Sequence, residues 1–154
     1  MTNASIIPAS IHHGIDRITH RAFHEQVRFV KASGLSMPQF TILMQLHYQR
    51  QCGVSDIGAR MDITSAAASQ LVEKLVQADL LERSEDPLDR RAKQLRLTEK
   101  GRALVETSQA ERHRWVNGLM ETLSPADLQK VSAAMEILAT ALQFSRPDKL
   151  SKAD

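Results

Sequence analysis

The chain has 154 residues, 42% of them apolar and 25% charged, which is the core material of one ordinary domain. Aromatic residues make up only 4%, while Leu, Ala, Glu, Gln, Lys and Arg are abundant, so helices are favoured and an all-β fold is excluded as a first reading. Nowhere do more than three apolar residues run together, so neither a membrane span nor a signal peptide is expected, and the protein is expected in the cytoplasm without a membrane partner. The single Cys52 leaves no internal disulfide framework and no multi-cysteine zinc cluster. A net charge of +2, from 20 basic and 18 acidic residues, does not announce nucleic acid, so the distribution of charge has to decide.

Pro8 and Ser10 precede a first helix running to about Ser33, in which Ile11, Ile15, Ile18, Ala22 and Phe29 recur at heptad-like spacing. Gly34 supplies its left-handed cap. Ser36 with Gln39 forms a capping box for a second helix, where Phe40, Leu43 and Leu46 share a face and which ends near Arg50. Gly53 and Ser55 open a short third helix with Ile57 and Met61. Asp62 and Ile63 make a tight turn into Thr64, the N-cap of a fourth helix from Ser65 to about Ala78. Leu71, Leu75 and Val76 are expected to hold this helix to the core.

Leu81 to Glu85 and Lys93 to Leu97 read as two strands of one hairpin, with Asp86 to Asp89 as turn material. Thr98 caps a long fifth helix to about Leu123, and Ser124, Pro125 and Asp127 start a sixth. In the sixth helix Leu128, Val131, Met135, Leu138 and Leu142 step by heptads. The polar tail 145–154 is expected to be flexible.

A short helix, a tight turn, a second helix without Gly or Pro and a hairpin with a basic tip follow the order of a winged helix-turn-helix. The second of these helices is slim at its N-terminal end, Thr64-Ser65-Ala66-Ala67-Ala68-Ser69-Gln70, so its backbone can approach a groove floor while hydroxyls and amide meet phosphates or base edges. Between residues 87 and 102, Arg90, Arg91, Lys93, Arg96, Lys100 and Arg102 stand against Asp89 and Glu99. That concentration is hidden in the whole-chain charge. Thr64, Ser65, Ala66, Ser69, Gln70, Lys74, Asp89, Arg90, Arg91 and Lys93 are the expected DNA-binding residues.

The segment Asp86-Pro87-Leu88-Asp89-Arg90-Arg91, followed by Leu95-Arg96-Leu97-Thr98-Glu99-Lys100-Gly101, resembles the wing of the MarR family of winged-helix transcription regulators. Gly34-Leu35-Ser36 with Gln39-Phe40, and Leu80-Leu81-Glu82-Arg83, support the resemblance, which covers about residues 10 to 144. It implies a mainly α fold with a small β-hairpin wing. A helical dimerisation region would be built from 10–35 and 99–144, and a winged helix-turn-helix from 36–98. It also implies an obligate homodimer with interlocked chain ends, binding an inverted repeat of double-stranded DNA with one reading head per half-site. Arg90 or Arg91 would enter the minor groove, with Asp89 bracing the wing through an arginine. The chain departs from the family pattern in two places: Gln70 stands where relatives usually have arginine, and Asp79 at the usual glycine position. Glu73 and Asp79 stand against only Lys74, so direct readout by this helix is expected to be weak.

The resemblance further implies a repressor released by a small aromatic acid or phenol, with His24, Met44, His47 and Trp115 placed near the effector cleft. Effector-independent architectural DNA binding is the alternative, and a metal- or thiol-responsive sensor is a third. His20 and His24 lie one turn apart, but no Cys or carboxylate pattern completes a four-ligand zinc set, so solvated or packed histidines are expected and no metal site, with a pH response left open. Cys52, in the loop before the third helix with only Arg50 to lower its pKa, reads as incidental. Without a phosphate loop, nucleophile elbow or spaced metal motif, no enzyme and no cofactor are expected.

Overall fold

The computed structural model describes residues 8–49, 52–85 and 93–144. Within them the elements are α1 (Ala9–Ala32), α2 (Met37–Gln49), α3 (Val54–Met61), α4 (Ser65–Gln77), β1 (Leu81–Glu85), β2 (Lys93–Leu97), α5 (Glu99–Met120) and α6 (Pro125–Phe144). The chain divides into two compact units, Met1–Arg112 and His113–Asp154, with the division inside α5. The tail 145–154 and the wing-tip residues Asp89, Arg90 and Arg91 lie outside the described residues.

Capping chemistry sets most of the helix ends. Gly34 ends α1 at φ +73°, a conformation a side chain would strain. The Ser36 N–H donates to Gln39 Oε1 at 2.9 Å, and the Gln39 N–H returns to Ser36 Oγ at 3.4 Å, closing the capping box that starts α2. The Asp56 carboxylate accepts from the Gly53 N–H at 2.9 Å at the start of α3. Asp62, at φ 52°, turns the chain out of α3. Helix α5 stops at Met120, three residues short of Leu123, because Thr122 Oγ1 donates back to Leu119 O at 2.7 Å and the Leu123 N–H to Met120 O at 3.0 Å.

In the first unit the core lies among α2, α3, α4, the hairpin and the start of α5. Ile42, Leu43, Ile57, Val72, Leu75, Leu95 and Val105 are wholly buried there. Each such side chain contributes about 1.5–3 kcal/mol relative to exposure. Ala68, Val72 and Leu75 are the buried residues of α4; Leu71 and Val76, expected beside Leu75, are half-buried flanks. The reason is helical phase: positions 68, 72 and 75 mark the centre of one face, and 71 and 76 its two shoulders. The two strands pair antiparallel with Leu81 opposite Leu97 and Glu82 opposite Arg96. A third short edge, unforeseen in the sequence, forms where Cys52 bridges Leu95, the Leu95 N–H donating to Cys52 O at 2.9 Å.

The junction between α4 and α5 is tightly tied. Thr98 Oγ1 donates to Asp79 O at 2.7 Å and accepts from the Gly101 N–H at 3.0 Å, while Lys100 Nζ donates to Ala78 O at 2.8 Å. Asp79 itself sits at φ 58°, in the left-handed region that Asp enters more readily than most residues. In the second unit, Ser124 caps α6 by accepting from the Asp127 N–H at 3.2 Å. Leu128, Met135, Leu138 and Leu142 of α6 are exposed in the single chain, as are Ile11, Ile15 and Ile18 of α1.

Candidate nucleic-acid interface

Helices α3 and α4 come together through small residues. A Cβ on Gly58 would meet Ile63 O at 3.2 Å and the Ala68 side chain at 3.7 Å, so Gly58 and Ala68 together set how closely the two helices cross. Gly58 is a residue that the sequence reading passed over; its signal was a glycine inside an otherwise good helix. Thr64 begins α4 in extended conformation, its Oγ1 accepting from the Ala67 N–H at 3.2 Å. With Ala68, Val72 and Leu75 turned inward, the outward face carries Thr64, Ser65, Ala66, Ser69, Gln70 and Lys74, all exposed. The structure therefore leaves every expected DNA-binding residue of this helix exposed, while Lys93 is described only as the residue that opens β2.

Two acids had counted against this helix. Glu73 is held by Arg83 of β1, Nη2 to Oε2 at 2.8 Å, and also accepts from Gln77 Nε2 at 3.5 Å. Its charge is thus turned toward the hairpin and matched there. Asp79 lies beyond the C-terminal end, far along the helix from the Thr64 end. Lys100, counted with the basic residues of the wing, instead caps a carbonyl at the end of α4.

The residues placed near an effector cleft separate. A cleft of about 340 Å³ lies between α1, α2 and the first half of α5, with Phe29, Phe40 and Met44 as apolar lining and Glu25, Arg28, Glu111 and Arg112 as charged lining. Of the four sequence choices only Met44 lines it. His24 is exposed on α1 against His20 and Phe23; His47 is half-buried on α2, with its Nε2 3.3 Å from Gln109 Nε2; Trp115 belongs to the second unit. Phe29 and Phe40 meet edge to face at 5.9 Å between ring centroids, and their places on the apolar faces of α1 and α2 were the signal for this cleft.

Cys52 is buried. Burial pushes its thiol above the ordinary range, the Asp56 carboxylate adds to the rise, and Arg60 opposes it; Arg50 lies outside the described residues. Ionisation is therefore resisted by the fold, and the contribution is present below the unfolded thiol pKa and lost as pH rises through the folded value. Iodoacetamide at pH 8 is expected to alkylate Cys52 slowly in the native protein and quickly in urea, as followed by intact-mass spectrometry. Equal rates would show an accessible thiolate and restore the thiol-sensor reading.

Residues 35–93 match the MarR family model. The HTH-type transcriptional regulator YfiV of Bacillus subtilis is 29% identical over 114 residues, 74% of this chain and 71% of that protein. The regulator YdgJ of the same organism is 28% identical over 98 residues, and there the chain spans only 60% of its relative's length. Among solved structures, the transcriptional regulator Tm0710 of Thermotoga maritima superposes with a TM-score of 0.83 at 20% identity, covering 90% of this chain and 99% of that one. The MepR–DNA complex of Staphylococcus aureus gives 0.65 at 23% identity, covering 82% and 96%. With the helix-turn-helix, the hairpin and the capped junction of α4 and α5 in place, the chain has a winged helix-turn-helix fold and carries a MarR-family domain over residues 35–93.

Proposed function

We propose that the protein acts as a homodimer on an inverted repeat of double-stranded DNA, as a repressor whose affinity falls when a small aromatic or phenolic acid binds. The observation that carries this reading is the exposed side of α4 and its N-cap: three hydroxyls, an amide and a lysine around small alanine, with a hydrophobic back fixed to the core. Such a face lets backbone and short side chains reach the floor of a major groove. MepR, a similar fold, is known in complex with DNA. Arg90 and Arg91, from the family wing pattern, are assigned to the minor groove, and Asp89 to bracing them.

The exposed isoleucines of α1 and the exposed leucines of α6 support pairing of two chains, because stripes of this length are seldom left in water. Two-fold symmetry then spaces the half-sites about 10 base pairs apart. For the effector, Phe29 and Met44 offer apolar lining and Arg28 and Arg112 offer guanidinium groups to a carboxylate.

Band-shift titration against a fragment selected from the genome tests the DNA assignment. Lys74→Ala is expected to flatten the slope of log affinity against log salt by roughly one unit, since one phosphate contact is lost. Gln70→Ala changes no charge, so it is expected to leave the slope alone and to narrow the gap between operator and random DNA, by about 1–3 kcal/mol if a base contact goes. An unchanged slope with Lys74→Ala and unchanged specificity with Gln70→Ala would move the reading surface off α4. For the effector, a benzoate and phenol panel is expected to weaken operator binding by about 5- to 150-fold, and Arg28→Ala to abolish that response. No response from any compound favours architectural binding.

A further inference from the structure

Helix α1 has two faces of different chemistry. Ile11, Ile15 and Ile18 make one; at about 100° per residue, His20 and His24 lie on roughly the opposite side of the axis. Both histidines are exposed, and their imidazole rings stand 4.4 Å apart between centroids with planes at 72°. Two imidazoles ligating one ion through bonds of about 2.0–2.1 Å at a right angle have centroids about 4.5 Å apart. The ring separation thus matches that of a right-angle chelate. Nearby charge is balanced: Asp16 and Arg17 lie one turn earlier, and Arg21 is matched by Glu25 at 2.8 Å, which Arg28 also contacts at 3.2 Å.

We propose that His20 and His24 form a two-imidazole chelate for a divalent transition-metal ion, copper(II) before nickel(II) and zinc(II), with water completing the coordination. Imidazole suits these three ions, and the order is that of divalent affinities for nitrogen donors. Among the described residues no three metal-binding side chains gather, so the site is open to solvent and exchanges its ion. That sets it apart from a closed structural zinc centre. The missing third and fourth ligands, which closed the zinc reading at the level of sequence, do not bear on a chelate that water completes.

Calorimetric titration of copper(II) and nickel(II) into the full-length chain tests the site. One strongly bound ion per chain is expected, and His20→Ala or His24→Ala is expected to weaken it about tenfold or more, because the second imidazole binds intramolecularly. The double variant, with neither imidazole left, should bind more weakly than either single one, and His13→Ala should bind as the native chain does. The copper(II) electron paramagnetic resonance spectrum should carry two equatorial nitrogens, falling to one in each single variant. Native affinity in either single variant, or equal loss with His13→Ala, overturns the proposal. Since both side chains are exposed, unchanged thermal melts in chelator identify any loss as a loss of ligation.

Discussion

Replacing Gly101 by alanine is expected to lower the melting temperature by roughly 6–12 °C, the consequence of about 3 kcal/mol of overpacking in a chain of this size. A Cβ at this position would fall well inside van der Waals contact distance of the Leu80 carbonyl oxygen, 3.1 Å from the carbonyl carbon and 3.3 Å from Leu97 Cδ2. Leu80 O is backbone and is fixed by the Thr98 N–H at 3.2 Å, so the obstacle has no rotamer with which to escape. The same substitution at Gly118 should do the reverse. Gly118 is also helical but has nothing within 4 Å of its would-be Cβ, and alanine there should gain about 0.5–1 kcal/mol from the helix interior. Thermal melts by circular dichroism read both. A Gly101→Ala melt equal to the native one would mean that α5 starts farther from α4 than its contacts indicate.

The second large effect is on binding without loss of folding. Ala66→Glu is expected to reduce operator affinity by about a hundredfold or more, since like charge set against the phosphates costs several kcal/mol. Ala66 is exposed in the first turn of α4, flanked by Ser65 and Ser69 on the outward face. A carboxylate near a helix N-terminus is favoured by the helix dipole, so stability should stay level or rise by a few tenths of a kcal/mol. Stability and binding thus move apart, which an unfolded variant cannot imitate. Operator affinity within about threefold of native for Ala66→Glu would remove the first turn of α4 from the interface, since a buried like charge cannot be that cheap.

What could be read before folding was what depends on near neighbours in sequence. Ser36 with Gln39, Thr64 with Ala67 and Ser124 with Asp127 each join residues three apart, so capping chemistry alone located those helix starts. The strands were equally legible, because Leu81, Leu95 and Leu97 take their burial from alternation. Contacts across elements left no such mark. Nothing local ties Cys52 to Leu95, Glu73 to Arg83 or Lys100 to Ala78 O, and two of these changed how the charge of the reading helix is assessed. The centre of the inward face of α4 left no mark either: Leu71, Leu75 and Val76 pack on the core as expected, but Val72 is no more apolar than they are, and only neighbouring elements put it at the centre. The cleft between α1, α2 and α5 is likewise made across elements, by Phe29 and Phe40 meeting edge to face beside Met44, a pairing that no local spacing announces.

The tie between Asp79, Leu80 and the first turn of α5 has a mechanical meaning. With Thr98 and Lys100 holding the last carbonyls of α4 and Gly101 seated beneath Leu80, the end of one helix and the beginning of the next share a single pivot. The reading helix cannot slide along its own axis without dragging that pivot, and α5 cannot tilt at its root without turning α4. A lever of this kind converts a small angular change in the long helix into a displacement at the Thr64 end, about 20 Å away at a rise of about 1.5 Å per residue. The position of the Thr64 end is then governed from Asp79, Thr98 and Gly101, at the opposite end of α4.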